Sequence, residues 1–200
     1  MTHELLELED SELARQVRAG SLNAFEELLR RYEDRIFNFI RKSLASREDV
    51  EDLTQTIFIK AYRNMQRFNP AMKFETWLFC IARRELISHF RRSGGINKTQ
   101  LDFEVADQSL NPSGELEASD RAEALWNLAA EKLSRKQYDA LWLHYREEMS
   151  IKEAARVLET SAAAVKVTLH RARNILLKEM SAALPAFKVS EGLGNEMCNI

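Results

Sequence analysis

Cysteine, glycine and proline are scarce in this 200-residue chain, with two, six and three residues respectively. Cys80 and Cys198 stand far apart, which excludes a disulfide-stapled scaffold and fits a reducing compartment. The few glycines make no phosphate-cradling loop, and neither a nucleophile elbow nor a paired-carboxylate motif occurs. His3, His89, His144 and His170 are scattered, with no pair at metal-ligand spacing to a cysteine. Asp49, Glu51 and Asp52 cluster without the spacing of a calcium loop. These absences argue against an enzyme, so no catalytic residue, cofactor or metal is expected. No window approaches the roughly eighteen uncharged apolar residues of a membrane span. The opening MTHELLELED is acidic and lacks the basic-then-apolar order of a secretory signal. A cytoplasmic chain without membrane insertion is therefore expected. Runs of alternating β-branched residues and internal repeats are also missing, which predicts an all-α protein.

What is present is a foldable composition, 45% apolar and 30% charged, long enough for one or two small domains. The net charge of −2 hides an uneven distribution. Residues 1–12 hold five acids and no base, and residues 102–123 hold seven acids and one base. The rest of the chain carries 28 bases against 19 acids. Basic modules joined by an acidic segment suggest polyanion binding. Charge alone is equally compatible with an ordinary solvated surface.

Gly94, Gly95, Pro112 and Gly114, with Ser93, Asn97, Thr99, Ser109, Asn111 and Ser113, mark a linker. The predicted organisation is a helical domain over 1–92, an acidic flexible linker over 93–118, a second helical domain over 119–184 and a disordered tail over 185–200. Ser11 is expected to cap a short helix stopped by Gly20. Leu22, Phe25, Leu28, Leu29, Tyr32, Ile36, Phe39 and Ile40 keep three-four spacing and predict one buried face. Ser46 opens the next helix, with the stripe Val50, Leu53, Ile57, Ala61, Met65 and Phe68, broken at Asn69-Pro70. A fourth helix is predicted from Phe74 to Arg92. Helices are then expected from Glu117 to Lys132, from a Ser134/Gln137 capping box to about Glu147, from a Ser150/Glu153 capping box to Leu158, and from Ala162 to about Leu184 before Pro185.

The last two helices have the form of a helix-turn-helix. Ala154 and Ala155 permit a close crossing, and Val157 and Leu158 can pack on Val165 and Leu169. Between Thr160 and Lys178 there is no acid, while Lys166, Arg171, Arg173 and Lys178 are basic and His170 lies among them. Such a helix suits the major groove; a bundle hairpin with a solvated basic face is the plainer alternative. In the 74–92 helix, Phe74, Trp77, Leu78 and Ile81 follow core spacing, whereas Arg83-Arg84 and Arg91-Arg92 recur on one broad face. Aromatics beside cations also suit single-stranded nucleic acid.

DVEDLTQTIFIKAYRNMQRF followed by FETWLFCIARRELISHFRR resembles conserved region two of bacterial sigma factors, and LHRAR within the helix-turn-helix resembles their region four. With no region three between them, the chain resembles the two-domain extracytoplasmic-function group. The resemblance implies core RNA polymerase and promoter DNA as partners, and leaves room for an anti-sigma factor. It assigns polymerase binding to Asp49, Asp52 and Gln55, although Asp49 is equally explained by a helix N-terminal preference for negative charge. It assigns the melting element to Asn69 and Lys73, with Arg83, Arg84, His89, Arg91 and Arg92 on phosphates. It assigns the upstream element to Lys166, Thr168, His170, Arg171 and Arg173. It further implies that the acidic linker threads the polymerase cleft. Glu147-Glu148-Met149 and Glu159-Thr160 stand where many relatives carry glycine, and Val167-Thr168 stands where a Ser-Arg pair is common. The latter implies an altered promoter preference. A stand-alone helix-turn-helix regulator is the competing expectation; it predicts promoter binding without polymerase.

Overall fold

The computed structural model describes residues 5–44, 46–92 and 118–183. The expected linker, apart from residue 118, and the expected tail with Cys198 lie outside the described residues.

Among the described residues the order is α1 (Asp10–Arg18), α2 (Leu22–Arg41), α3 (Arg47–Asn64), a single 3-10 turn (Met65–Arg67), α4 (Phe74–Arg92), α5 (Ala118–Lys132), α6 (Arg135–Leu141), α7 (Ile151–Val157) and α8 (Ala162–Ala183). The all-α, two-domain architecture expected from the sequence is the one found.

Local chemistry explains most boundaries. The α1 helix starts two residues earlier than a Ser11 cap would have it, with Glu9 in the N-cap position and Ser11 inside the first turn. Asp10 and Glu12 favour the positive helix end, and Asp10 is anchored by Arg31 at 2.9 Å and by the Tyr32 hydroxyl. Gly20, at φ +99°, closes α1 in the left-handed region that glycine enters at little cost. The Ser21 and Ser46 hydroxyl oxygens each accept a first-turn backbone N–H at 3.3 Å, from Ala24 and Asp49. Such caps stabilise by about 1 kcal/mol each.

The first core is built on Leu28, Ile36, Phe39 and Ile40 of α2, Val50, Leu53 and Ile57 of α3, and Phe74, Leu78 and Phe79 of α4, all buried. Phe39 and Phe79 meet edge to face at 5.3 Å. The α3 stripe runs past the helix end, because buried Met65 and Phe68 belong to the 3-10 turn and its exit. The α2 face divides. Leu22 is exposed, and Phe25 and Leu29 are only half-buried, so the single buried face expected there is corrected to a core face plus an apolar rim.

In the second half, the Ser134 N–H donates to Gln137 Oε1 at 3.0 Å and the Ser150 N–H to Glu153 Oε2 at 2.8 Å. Both capping boxes form as the spacing predicts. The expected helix to Glu147 ends as α-helix at Leu141 and widens into a π turn over Trp142–Arg146. That widening turns Glu147 inward, where it is buried and accepts from Trp142 Nε1 at 2.7 Å. Trp126, Tyr138 and Trp142 stack into the second core. The two halves touch where α4 lies against α7.

Candidate nucleic-acid interface

The helix-turn-helix is assembled as the small residues require. Ala154, Ala155, Val157, Leu158, Val165, Leu169 and Ala172 are buried together where α7 crosses α8. The turn between them passes through Glu159 at φ +52°, and Ser161 Oγ accepts the Ala164 N–H at 3.1 Å to start α8. With Val165, Leu169 and Ala172 inward, Lys166, Val167, His170 and Arg171 project outward and are exposed. His170 Nε2 lies 3.1 Å from Asn174 Nδ2. Arg173 is half-buried and donates to the Tyr145 hydroxyl at 3.2 Å. The Thr168 hydroxyl donates to the Ala164 carbonyl at 2.8 Å, which leaves its methyl as the group available to a partner. The five residues assigned to upstream reading therefore sit on one helix: Lys166, His170 and Arg171 point outward, Arg173 is half-buried against Tyr145, and Thr168 is partly turned to its own backbone.

The residues assigned to the melting element split into three environments. Asn69 is exposed, and its side-chain oxygen accepts the Ala71 N–H at 3.0 Å, fixing the turn after Phe68. Phe68, Phe74 and Trp77 stack beneath this turn, with centroids 5.2–5.9 Å apart, so these aromatics are core. Lys73 and Arg84 carry ion pairs to the second half, Lys73 Nζ to Glu153 at 3.0 Å and Arg84 Nε to Glu159 at 2.8 Å. Each cation is held above its ordinary pKa by that partner. Arg83 is half-buried; it lies beside Asp139 in a cleft between the halves that Arg91, Arg135 and Lys136 also line. Asp139 pairs with Arg135 at 2.6 Å, and burial pushes its carboxyl up. His89 is half-buried beside Phe90, while Arg91 and Arg92 are exposed at the end of α4.

Asp49, Asp52 and Gln55 all project from the exposed face of α3. Asp52 and Gln55 line a groove of about 950 Å3 between α2 and α3; Asp49 lies outside it. Its apolar walls are Leu22, Phe25, Leu29, Phe58, Ile59 and Tyr62, with Phe25 and Tyr62 in ring contact at 4.9 Å. Leu22 (58%), Ile59 (43%) and Tyr62 (42%) are strongly exposed for such large side chains. Sequence reasoning missed this groove. Its signal was present, because Leu22, Phe25 and Leu29 make their own helical stripe beside the core one, and a helix apolar over so wide an arc needs a second neighbour.

Cys80 is half-buried on α4, and burial pushes its thiol up, as expected of a packed thiol. No helix of the described residues is long and apolar enough to cross a membrane. Arg35 ties the halves together from inside. It donates from Nε to Glu147 at 2.8 Å and also pairs with Glu75. Burial raises the Glu147 carboxyl, and Arg35 opposes that shift. Arg135 also stands over the Phe39 ring at 5.8 Å, and Lys42 Nζ donates to Asn127 at 2.6 Å.

A reading helix with an exposed basic face and no acid before Glu179 on one half, with an arginine-bearing helix and an exposed apolar groove on the other, fits a DNA-reading protein that works on a larger partner. Comparison with known proteins agrees. Sigma-70 region 2 matches residues 28–95, and Sigma-70, region 4 matches residues 126–176. RNA polymerase sigma factor YlaC of Bacillus subtilis is 30% identical over 168 residues, covering 80% of this chain and 93% of that protein. ECF RNA polymerase sigma factor SigW of the same organism is 28% identical over 177 residues, covering 83% and 94%. The solved structure of CnrH in complex with the cytosolic domain of CnrY superposes with a TM-score of 0.64 at 26% identity, covering 86% of this chain and 97% of that one. The chain belongs to the ECF-type sigma factors of RNA polymerase. Its function is promoter-specific transcription initiation with that polymerase, and a region 2 match disfavours the stand-alone regulator.

Proposed function

We propose that the chain divides initiation between a first domain over 1–92, which docks polymerase and holds opened DNA, and a second over 119–184, which reads the upstream element. The α2–α3 groove takes an apolar helical face of core polymerase, with Asp52 and Gln55 supplying polar contacts at its edge and Asp49 beyond it on the same exposed face of α3. That assignment is carried by one observation: large apolar side chains stand exposed in a groove whose rim holds Asp52 and Gln55. An anti-sigma factor, where one exists, competes for the same apolar surface.

Along α4 and the loop before it, Asn69 and Lys73 engage the melted strand, and Arg83, Arg84, His89, Arg91 and Arg92 hold phosphates. Unstacking costs a few kcal/mol per step, which charge neutralisation and base capture offset. In the second domain, Lys166, Thr168, His170, Arg171 and Arg173 meet the upstream element. Val167 and the outward Thr168 methyl favour contact with thymine methyl groups and shift promoter preference. Two modest contacts held on one scaffold reinforce each other through effective concentration. The chain performs no chemistry itself and works in the cytoplasm, where the polymerase is. Co-elution of the chain with sigma-free core polymerase on a sizing column tests the groove. The wild type should co-elute and Asp52→Arg should not; equal co-elution would overturn the assignment.

A further inference from the structure

We propose that Tyr145 and Arg173 together hold one backbone phosphate of the upstream element, which makes Tyr145 a DNA contact outside the recognition helix. This deepens the reading of α8 proposed above and rests on it. Tyr145 belongs to the π turn Trp142–Arg146. Trp142 and Leu143 of that turn are buried in the second core, whereas Tyr145 stands 42% exposed. Its ring lines the same open cleft, about 320 Å3, as Lys166, His170, Arg171 and Arg173. Three of these are cations, so the cleft attracts a polyanion. Arg173 lies about three turns into α8. In a helix-turn-helix the N-terminal residues of the second helix reach the base edges, which leaves Arg173 to the backbone beside the groove.

Tyr145 is fixed from both sides. His144 Nδ1 lies 2.8 Å from the Met149 carbonyl; a carbonyl only accepts, so Nδ1 carries the proton and donates. The anchored His144 ring meets the Tyr145 ring edge to face, with centroids 4.7 Å apart. At the far end of the ring, the Tyr145 hydroxyl oxygen accepts from Arg173 Nη1 at 3.2 Å. The phenol still has its own O–H to donate, and no acceptor for it is found among the described residues. It takes one guanidinium N–H without cancelling the positive charge, as a carboxylate would. The adjacent cation polarises the hydroxyl and makes it a better donor. A phosphate oxygen seated there receives a phenolic O–H and the attraction of the guanidinium together, a donor set that suits DNA backbone. Widened turns of this kind are frequent at functional sites; here the turn brings a ring from the element before α7 to the flank of α8.

The test uses the full chain and a double-mutant cycle of Tyr145→Phe, Arg173→Ala and both together. Fluorescence anisotropy across a salt series reads binding to two labelled duplexes of mixed sequence, one A·T-rich and one G·C-rich. Tyr145→Phe should weaken binding roughly threefold to tenfold on both duplexes and keep the salt slope, since no charge is lost. Arg173→Ala should weaken binding and lower the slope by about one. In the Arg173→Ala background, Tyr145→Phe should change affinity less than about twofold. Wild-type affinity in Tyr145→Phe overturns the proposal. A loss confined to one duplex also overturns it, because that marks a base contact. An equal loss in both backgrounds overturns it too, because Tyr145 then supports the fold and does not act with Arg173. Lys166→Ala/Arg171→Ala separates failure of the underlying reading. If that variant binds both duplexes as wild type does, α8 does not face DNA and the pair falls with it.

Discussion

Two single residues give the proposed reading and the acid sensitivity of this chain their sharpest tests. Arg171 is exposed on the outer face of α8. Arg171→Ala should weaken binding to the upstream element by roughly 1–3 kcal/mol and spare association with polymerase, as footprinting and co-elution would show. Glu27 is buried on α2, and Arg30, then Arg31, hold its carboxyl well below the ordinary value near 4.5, at about 2. Because the folded-state value is lowered, its contribution is present above about pH 4.5 and is lost as pH falls toward about 2. Glu27→Gln should cost about 1 kcal/mol at neutral pH and flatten the loss of stability across that window, measured by urea unfolding. Glu148 is exposed at φ +53°. Glu148→Gly should raise stability by about 0.5–1 kcal/mol, since the left-handed strain goes and no contact is lost. A loss of stability there would mean the turn is not strained.

At the scale of elements, legibility followed the strength of local signals. The α4 boundaries, Phe74–Arg92, were readable because Asn69-Pro70 breaks the preceding stripe and Phe74 restarts a new one. The two capping boxes fixed α6 and α7 for the same reason: a serine and an acceptor three residues on satisfy backbone groups locally. Ser11 misled because its alternative was tertiary. Asp10 is anchored by Arg31 and Tyr32, and no local rule registers residues some twenty positions away. The π turn was likewise hidden, since it positions Glu147 for Trp142 and Arg35. For the site, the polar half was legible and the apolar half was not. Asp52 and Gln55 are conspicuous by type, whereas Leu22, Phe25 and Ile59 look like core in any window. The groove makes its own prediction: Ile59→Glu should abolish co-elution with core polymerase while helical content by circular dichroism stays unchanged, because Ile59 is already exposed.

For the whole molecule, the sequence implied two cationic lobes but could not show how they lie together. Charge distribution separates modules; it does not say that acids of one meet bases of the other. The contact observed here is polar and partly exposed at Lys73 and Arg84, with half-buried Arg35 reaching the buried Glu147. Apolar side chains also line the cleft between the halves, among them Leu86, Phe90 and Leu158. On the function proposed above, the chain selects start sites only when docked on core polymerase. The most direct measurement of that claim is to mix the purified chain with sigma-free bacterial core polymerase on genomic DNA and map the 5′ ends of the transcripts. New, discrete start sites that disappear with Asp52→Arg are the predicted result. Start sites unchanged from core polymerase alone would contradict it.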